Sequence, residues 1–114
     1  MKYVCSRLSS PTEKEMEKNM RLAGEYCRVI SEKTGARAFA PHSFLPRYID
    51  DHNPAERAIA LEFGRRMLTI CDEVIVVLEN QKPSAGMEGE IILAKELNIP
   101  IRYFNDLKDL KSNL

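Results

Sequence analysis

Tryptophan is absent from this chain, cysteine occurs three times and glycine five times in 114 residues. The three thiols, Cys5, Cys27 and Cys71, are odd in number and far apart, and they form no Cys-x-x-Cys pair. That excludes a disulfide framework and a thiolate zinc site, and it fits reduced thiols packed as small apolar groups. The glycines do not fall into the Gly-x-Gly-x-x-Gly dinucleotide fingerprint or a P-loop, so neither phosphate cradle is present. Lys plus Arg and Asp plus Glu balance at 17 each. No basic field therefore argues for polymeric nucleic acid or a membrane surface. The longest apolar run, Val74 to Leu78, is far short of the roughly 20 residues of a membrane span. The polar residues that follow Lys2–Cys5 do not suit a signal peptide. There is no internal repeat and no low-complexity segment. These absences leave one domain over residues 1–114, large enough for a real core, and a cytoplasmic location is expected.

What is present alternates strand and helix. Tyr3–Cys5 reads as a short first strand, and the polar turn Ser6-Arg7-Leu8-Ser9-Ser10 follows it. Ser10, Pro11 and Glu13 resemble N-cap, first helical position and capping partner, and Met16, Met20, Ala23, Cys27 and Ile30 recur at helical spacing up to Gly35. Ala36–Pro41 is expected as a second strand, ending at His42. The stretch Ser43–His52 has the length and irregularity of a binding loop. Asn53, Pro54 and Glu56 repeat the cap signature and open a second helix to about Ile70, with Ala60, Phe63, Met67 and Ile70 as its buried stripe. Gly64 inside that helix costs about 1 kcal/mol relative to alanine, which suggests close approach of a backbone or ligand. Val74–Leu78 has the unbroken β-branched character of a strand buried on both faces. A helical pattern from about Met87 to Asn98, a fourth strand over Ile99–Phe104 and a short helix capped by Asn105 complete the chain. The order βαβαβαβα predicts an α/β fold, a three-layer Rossmann/flavodoxin-like domain with a four- to five-stranded parallel sheet.

In such a sheet a ligand sits where strands end and helices begin. The loop after the first strand offers Ser6, Ser9, Ser10 and Arg7, more donors than a helix cap needs. His42 closes the second strand, and the loop after the third carries Ser84 and Gly86. Glu90 is out of place. On a helix it shares a face with Leu93, Ala94 and Leu97, so it points inward while Glu88 and Lys95 face solvent. An inward carboxylate beside a Ser/Gly loop is a nucleophile or a sugar-hydroxyl acceptor, or else a residue that only favours the positive helix end. His42, His52, Asp50 and Asp51 lack metal-ligand spacing, so no metal and no cofactor are expected.

Cys5-Ser6, Ala40-Pro41-His42, Cys71-Asp72 and Ser84-Ala85-Gly86-Met87-x-x-Glu90 together resemble the nucleoside 2-deoxyribosyltransferase superfamily, in particular a small bacterial and phage branch, from Tyr3 to Phe104. In the related deoxynucleoside 5′-monophosphate N-hydrolases, a Ser-x-Gly-x-x-x-Glu motif places serine at the phosphate and glutamate at the sugar. Ser84, Gly86 and Glu90 match it position for position. The resemblance implies an N-glycosidic hydrolase or transferase acting on a deoxynucleoside or its 5′-monophosphate. Glu90 would be its nucleophile, with Ser6, Arg7, His42, Asp72, Ser84, Gly86 and Met87 around the substrate. The family's leaving-group acid, an Asp on the helix before the third strand, has no counterpart in Glu62-Phe63-Gly64-Arg65. Either Asp50, Asp51 or Asp72 takes that part, or the domain is a nucleotide-binding sensor or sponge without catalysis. Because Ile59, Leu61 and Leu68 add to the apolar stripe of the second helix, a homodimer or higher oligomer is expected, the alternative being cover from the Ser43–His52 loop.

Overall fold

The computed structural model describes residues 1–50 and 52–114. Four strands, β1 (Lys2–Cys5), β2 (Ala38–Phe39), β3 (Glu73–Val77) and β4 (Ile101–Phe104), form one sheet in the order β2-β1-β3-β4. All three pairings are parallel, with Tyr3 opposite Val74, Cys5 opposite Val76 and Val77 opposite Phe104. The chain alternates these strands with α1 (Glu13–Thr34), α2 (Pro54–Thr69), α3 (Ala85–Glu96) and α4 (Leu107–Asn113). The expected three-layer α/β architecture is what forms, with four strands.

The period-2 alternation of a strand divides the core into two. Val4, Ile75 and Val77 face one side, where Ala23, Tyr26 and Ile30 of α1 and Leu110 of α4 close over them. Tyr3, Cys5, Val74 and Val76 face the other, covered by Leu68 of α2 and by Met87, Ile91 and Ala94 of α3. Each of these aliphatic side chains contributes on the order of 1.5–3 kcal/mol by leaving water. Cys5 and Cys71 are buried free thiols and Cys27 is half-buried, as expected of cysteines used for packing.

Several boundaries differ from the sequence reading for identifiable reasons. Thr12, not Ser10, caps α1 by accepting from Glu15 N at 3.2 Å. Ser10 instead donates to the Glu15 carboxylate, and Pro11 stays outside the helix. Gly35 ends α1 in the left-handed region at φ 72°, the conformation that favours glycine there. β2 shrinks to two residues. Ala36 N bonds back to Thr34 Oγ1, and Pro41 starts a 3₁₀ turn over Pro41–Ser43, followed by a second over Leu45–Arg47. Asp106 rather than Asn105 caps α4.

The phase of α2 is corrected most. Phe63 and Ile70, expected in its buried stripe, are exposed (38% and 63%), while Leu68 is buried. A helix apolar around much of its circumference gives periodicity nothing to choose between. Phe63 joins a tilted and edge-on aromatic cluster with Phe39 of β2 and Phe44 at 6.0 and 6.5 Å.

Gly64 lies where α2 crosses β1. A Cβ there would stand 3.2 Å from the Tyr3 hydroxyl, and the Tyr3 ring is fixed in the core. Gly24 of α1 has open space around the same position. Gly24→Ala should therefore stabilise the protein by about 0.5–1 kcal/mol, whereas Gly64→Ala should lose that gain or destabilise. Urea unfolding of both variants checks the contrast, and equal gains would remove the close approach.

Candidate active site

The strand order reverses between β1, which leads to α1 on one face, and β3, which leads to α3 on the other, so the C-terminal ends of these strands define the crevice expected to hold a ligand. A cleft of about 730 Å³ opens on the α2/α3 side, lined by Tyr3, Ser6, Ser9, His42, Arg57, Arg65, Ser84, Gly86, Met87 and Glu90 among others. Its outer wall is apolar, with Leu45 and Ile49 of the 43–50 loop facing Ala60, Leu61 and Leu68 of α2. The loop does not bury the extra apolar residues of α2: Ile59 and Leu61 stay exposed at 62% and 54%, and Leu68 is buried in the core beneath the sheet-facing side of α2.

Ser84 is the N-cap of α3, accepting from Met87 N at 3.3 Å. That capping bond fixes the first turn, and Glu90 follows one turn later on the inward face with buried Ala94. Leu97, expected on the same face, is 42% exposed, because the helix ends at Glu96 as the chain turns toward β4. The Tyr3 hydroxyl and the Cys5 thiol lie beside the Glu90 carboxyl. Desolvation dominates its protonation and pushes it up to about 7, while these two donors pull the other way. Burial raises the Tyr3 and Cys5 groups themselves, further so because Glu90 is beside them; both stay protonated. The thiol also approaches the Met87 carbonyl at 3.7 Å.

The Ser6 hydroxyl lies 2.6 Å from His42 Nε2. Desolvation lowers His42 to about 4, so the imidazole is neutral near pH 7. Asn19 of α1, a buried amide, donates to the Leu8 carbonyl at 2.9 Å and holds the loop after β1 in place.

Of the residues singled out from sequence, Ser6, His42, Ser84, Gly86, Met87 and Glu90 meet in this cleft. Two do not. Arg7 turns away, its Nη2 donating to the Lys82 carbonyl at 2.6 Å, and it lines a separate depression between α1 and the loop after β3. Its donors tie the two crevice loops together. Asp72 precedes β3 at the opposite end of the sheet, paired with the N-terminal amine at 3.3 Å and Lys2 at 3.1 Å; the partners hold its carboxyl below the usual range. It cannot reach Glu90. Asp50 accepts from His52 N at 2.9 Å and is not among the cleft residues, and Asp51 lies outside the described residues. Among the described lining residues Glu90 is the sole carboxylate.

Sequence reasoning missed Tyr3 and Cys5 as partners of Glu90. The signal was a tyrosine in a buried strand, whose hydroxyl needs a partner, with Cys5 two residues on and so on the same face. Arg57 and Arg65 were also missed. Arg57 begins a helical series with Ala60, Leu61, Gly64 and Leu68 that lines the cleft. Arg65 beside it pairs with Glu62 at 3.7 Å.

Over residues 1–104 the chain matches the family model DUF7768, a domain of unknown function, and it belongs to that family. No curated protein matches it.

The raised Glu90 carboxyl makes a pH prediction. Its folded value of about 7 exceeds the ordinary 4.5, so folding favours the protonated form. Stability it affords is complete below about pH 4.5 and is lost as pH rises through 7. Glu90→Gln, neutral throughout, should match the native chain near pH 4 and exceed it by about 1–3 kcal/mol at pH 8. Denaturant titrations at both pH values check this, and parallel stabilities would contradict a desolvated carboxyl.

Proposed function

We propose that the cleft binds a deoxynucleoside or its 5′-monophosphate and that Glu90 attacks the anomeric carbon, so that the protein is an N-glycosidic hydrolase or deoxyribosyl transferase. The observation that carries this reading is the placement of the Glu90 carboxyl in the cleft, beside the Tyr3 hydroxyl and the Cys5 thiol. A retaining N-glycosidic reaction needs an ionised carboxylate held in one geometry, able to form and then release a glycosyl ester. The capped first turn of α3 supplies the geometry. A group near 7 is substantially ionised at neutral pH. The apolar wall of Leu45, Ile49 and Leu61 suits the face of a base, and Arg57, Arg65 and the first turn of α3 suit a phosphate.

A second reading, a binding module without cleavage, is favoured by the lack of another carboxylate among the described lining residues. One experiment separates them. Incubated with each deoxynucleoside and each 5′-monophosphate, the protein should release free base from at least one. Glu90→Gln should lower that rate by on the order of a thousandfold or more while keeping most of the affinity. Saturable binding without base release would leave the binding module. Full activity in Glu90→Gln would remove Glu90 as nucleophile.

Self-association is proposed on separate grounds. Ile59 and Phe63 of α2 and its C-cap Ile70 remain exposed at 62%, 38% and 63%, with Tyr48 nearby in sequence at 79%. A twofold pairing of α2 with its copy would cover an apolar face the sheet does not reach. Sedimentation at micromolar concentration should give a dimer, shifted toward monomer by Ile59→Glu. A 13.0 kDa species throughout would rule the dimer out.

A further inference from the structure

A base that leaves an anomeric carbon carries away the electron pair of the C–N bond, and in water-excluded surroundings that charge needs a donor. Retaining glycosidases assign this to a second carboxyl group, which the described residues of this cleft lack. The donors that remain can be sorted by what already engages them. The Tyr3 hydroxyl stands beside Glu90, the Ser84 oxygen caps α3, and Ser9 is exposed to solvent. Ser6 differs. It follows Cys5 at the end of β1, it is 4% exposed, and it lines the cleft. Its oxygen lies 2.6 Å from His42 Nε2, and among the described residues its hydroxyl has no other hydrogen-bond partner.

His42 is held by the turn that ends β2. The Ser43 hydroxyl donates to the Ala40 carbonyl at 2.7 Å, and Phe44 N donates to the Pro41 carbonyl at 3.2 Å. The turn fixes the His42 backbone, and the imidazole meets Ser6 from the neighbouring strand. Burying a hydroxyl and an imidazole together costs free energy unless they bond to one another. Their contact does not use all of their hydrogens. A neutral imidazole has one N–H. Placed on Nε2 it donates to the Ser6 oxygen, and the hydroxyl hydrogen is left to point elsewhere.

We propose that the Ser6 hydroxyl, oriented by the Nε2–H of His42, donates a hydrogen bond to the departing base and takes the part of the absent second carboxylate. This rests on Glu90 as the nucleophile. In the step itself, a carboxylate oxygen of Glu90 bonds to the anomeric carbon as the C–N bond breaks, and the electron pair leaves on the base. The Ser6 hydrogen bond stabilises that pair, and the base takes its proton from water on release. Water then cleaves the glycosyl ester, restoring the Glu90 carboxylate and returning a proton to solvent. Ser6 is the catalytic donor, and His42 is a positioning residue.

The test is leaving-group dependence. Initial rates of base release are compared for the natural deoxynucleoside or 5′-monophosphate cleaved fastest and for N7-methyl-2′-deoxyguanosine in the same phosphorylation state, whose base departs neutral and needs no donor. Ser6→Ala and His42→Leu should each lose about a hundredfold on the natural substrate and less than about threefold on the methylated one. His42→Gln, whose amide N–H can replace Nε2–H, should recover at least about tenfold over His42→Leu on the natural substrate. Equal losses on both substrates, or no loss on either, would overturn the assignment. Ser6→Ala changes little volume and carries the test if His42→Leu does not fold. Glu90→Gln should be inactive on both substrates; if it is active, or if the native protein releases base from neither, the nucleophile reading fails and this one with it.

Discussion

Parallel pairing of β1 with β3, Tyr3 against Val74 and Cys5 against Val76, is the constraint on which the cleft depends. It sends a phenol and a thiol to the same face of the central strand pair, beneath the first turns of α3. Shifting β1 by one residue would send Val4 and Ser6 there instead and leave Glu90 with an aliphatic side chain. Register is protected because the other face must receive Val4, Ile75 and Val77 under α1. The hydrophobic requirement on one side of the sheet thus fixes the polar arrangement on the other.

That arrangement works against folding at neutral pH. Desolvation of the Glu90 carboxyl outweighs its two donors and leaves it at about 7, so ionisation weakens the native state. An apolar side chain at this position, or a glutamate turned to solvent, would avoid the conflict. Departures of this kind from local consistency concentrate where a protein does chemistry or binds a ligand. Gly64 makes a related concession within α2: it gives up helix propensity so that the helix can cross over the Tyr3 hydroxyl. The two features meet at one atom, the phenolic oxygen. The Glu90 carboxyl lies beside it, and a side chain at position 64 would crowd it.

The wall formed by α2 is of a different character. Its sole fully buried large side chain among the described residues is Leu68, while the face toward the cleft alternates arginine with small and apolar residues and the opposite face stays exposed. A helix held this lightly defines the width of the cleft without filling it. The segment over residues 41–50 stiffens the same wall, with Pro41 first in one 3₁₀ turn and Pro46 second in the other. Pre-set φ angles let such turns hold their shape with few buried contacts.

Local physics was enough to read most of this protein from its residues. β-branched continuity marked β3, cap signatures with Pro and Gly marked α2 and the end of α1, and helical phase turned Glu90 inward and Lys95 outward. These are properties of a few neighbouring residues and need no partner. The sequence also brought Ser84, Gly86, Met87 and Glu90 together, since they share one loop and helix. Only the tertiary structure decided what lies across from them. Asp72 looked available beside the central strand, yet it precedes the strand, and strand direction places it a full sheet height from Glu90. Arg7 lies next to Ser6, but its reach to the Lys82 carbonyl depends on how two distant loops pass. The pairings of Tyr3 with Glu90, Ser6 with His42 and Gly64 with Tyr3 join residues far apart in the chain. Pairing of that kind is set by sheet order and helix packing, which act through contacts between elements and leave no periodic trace within any one of them.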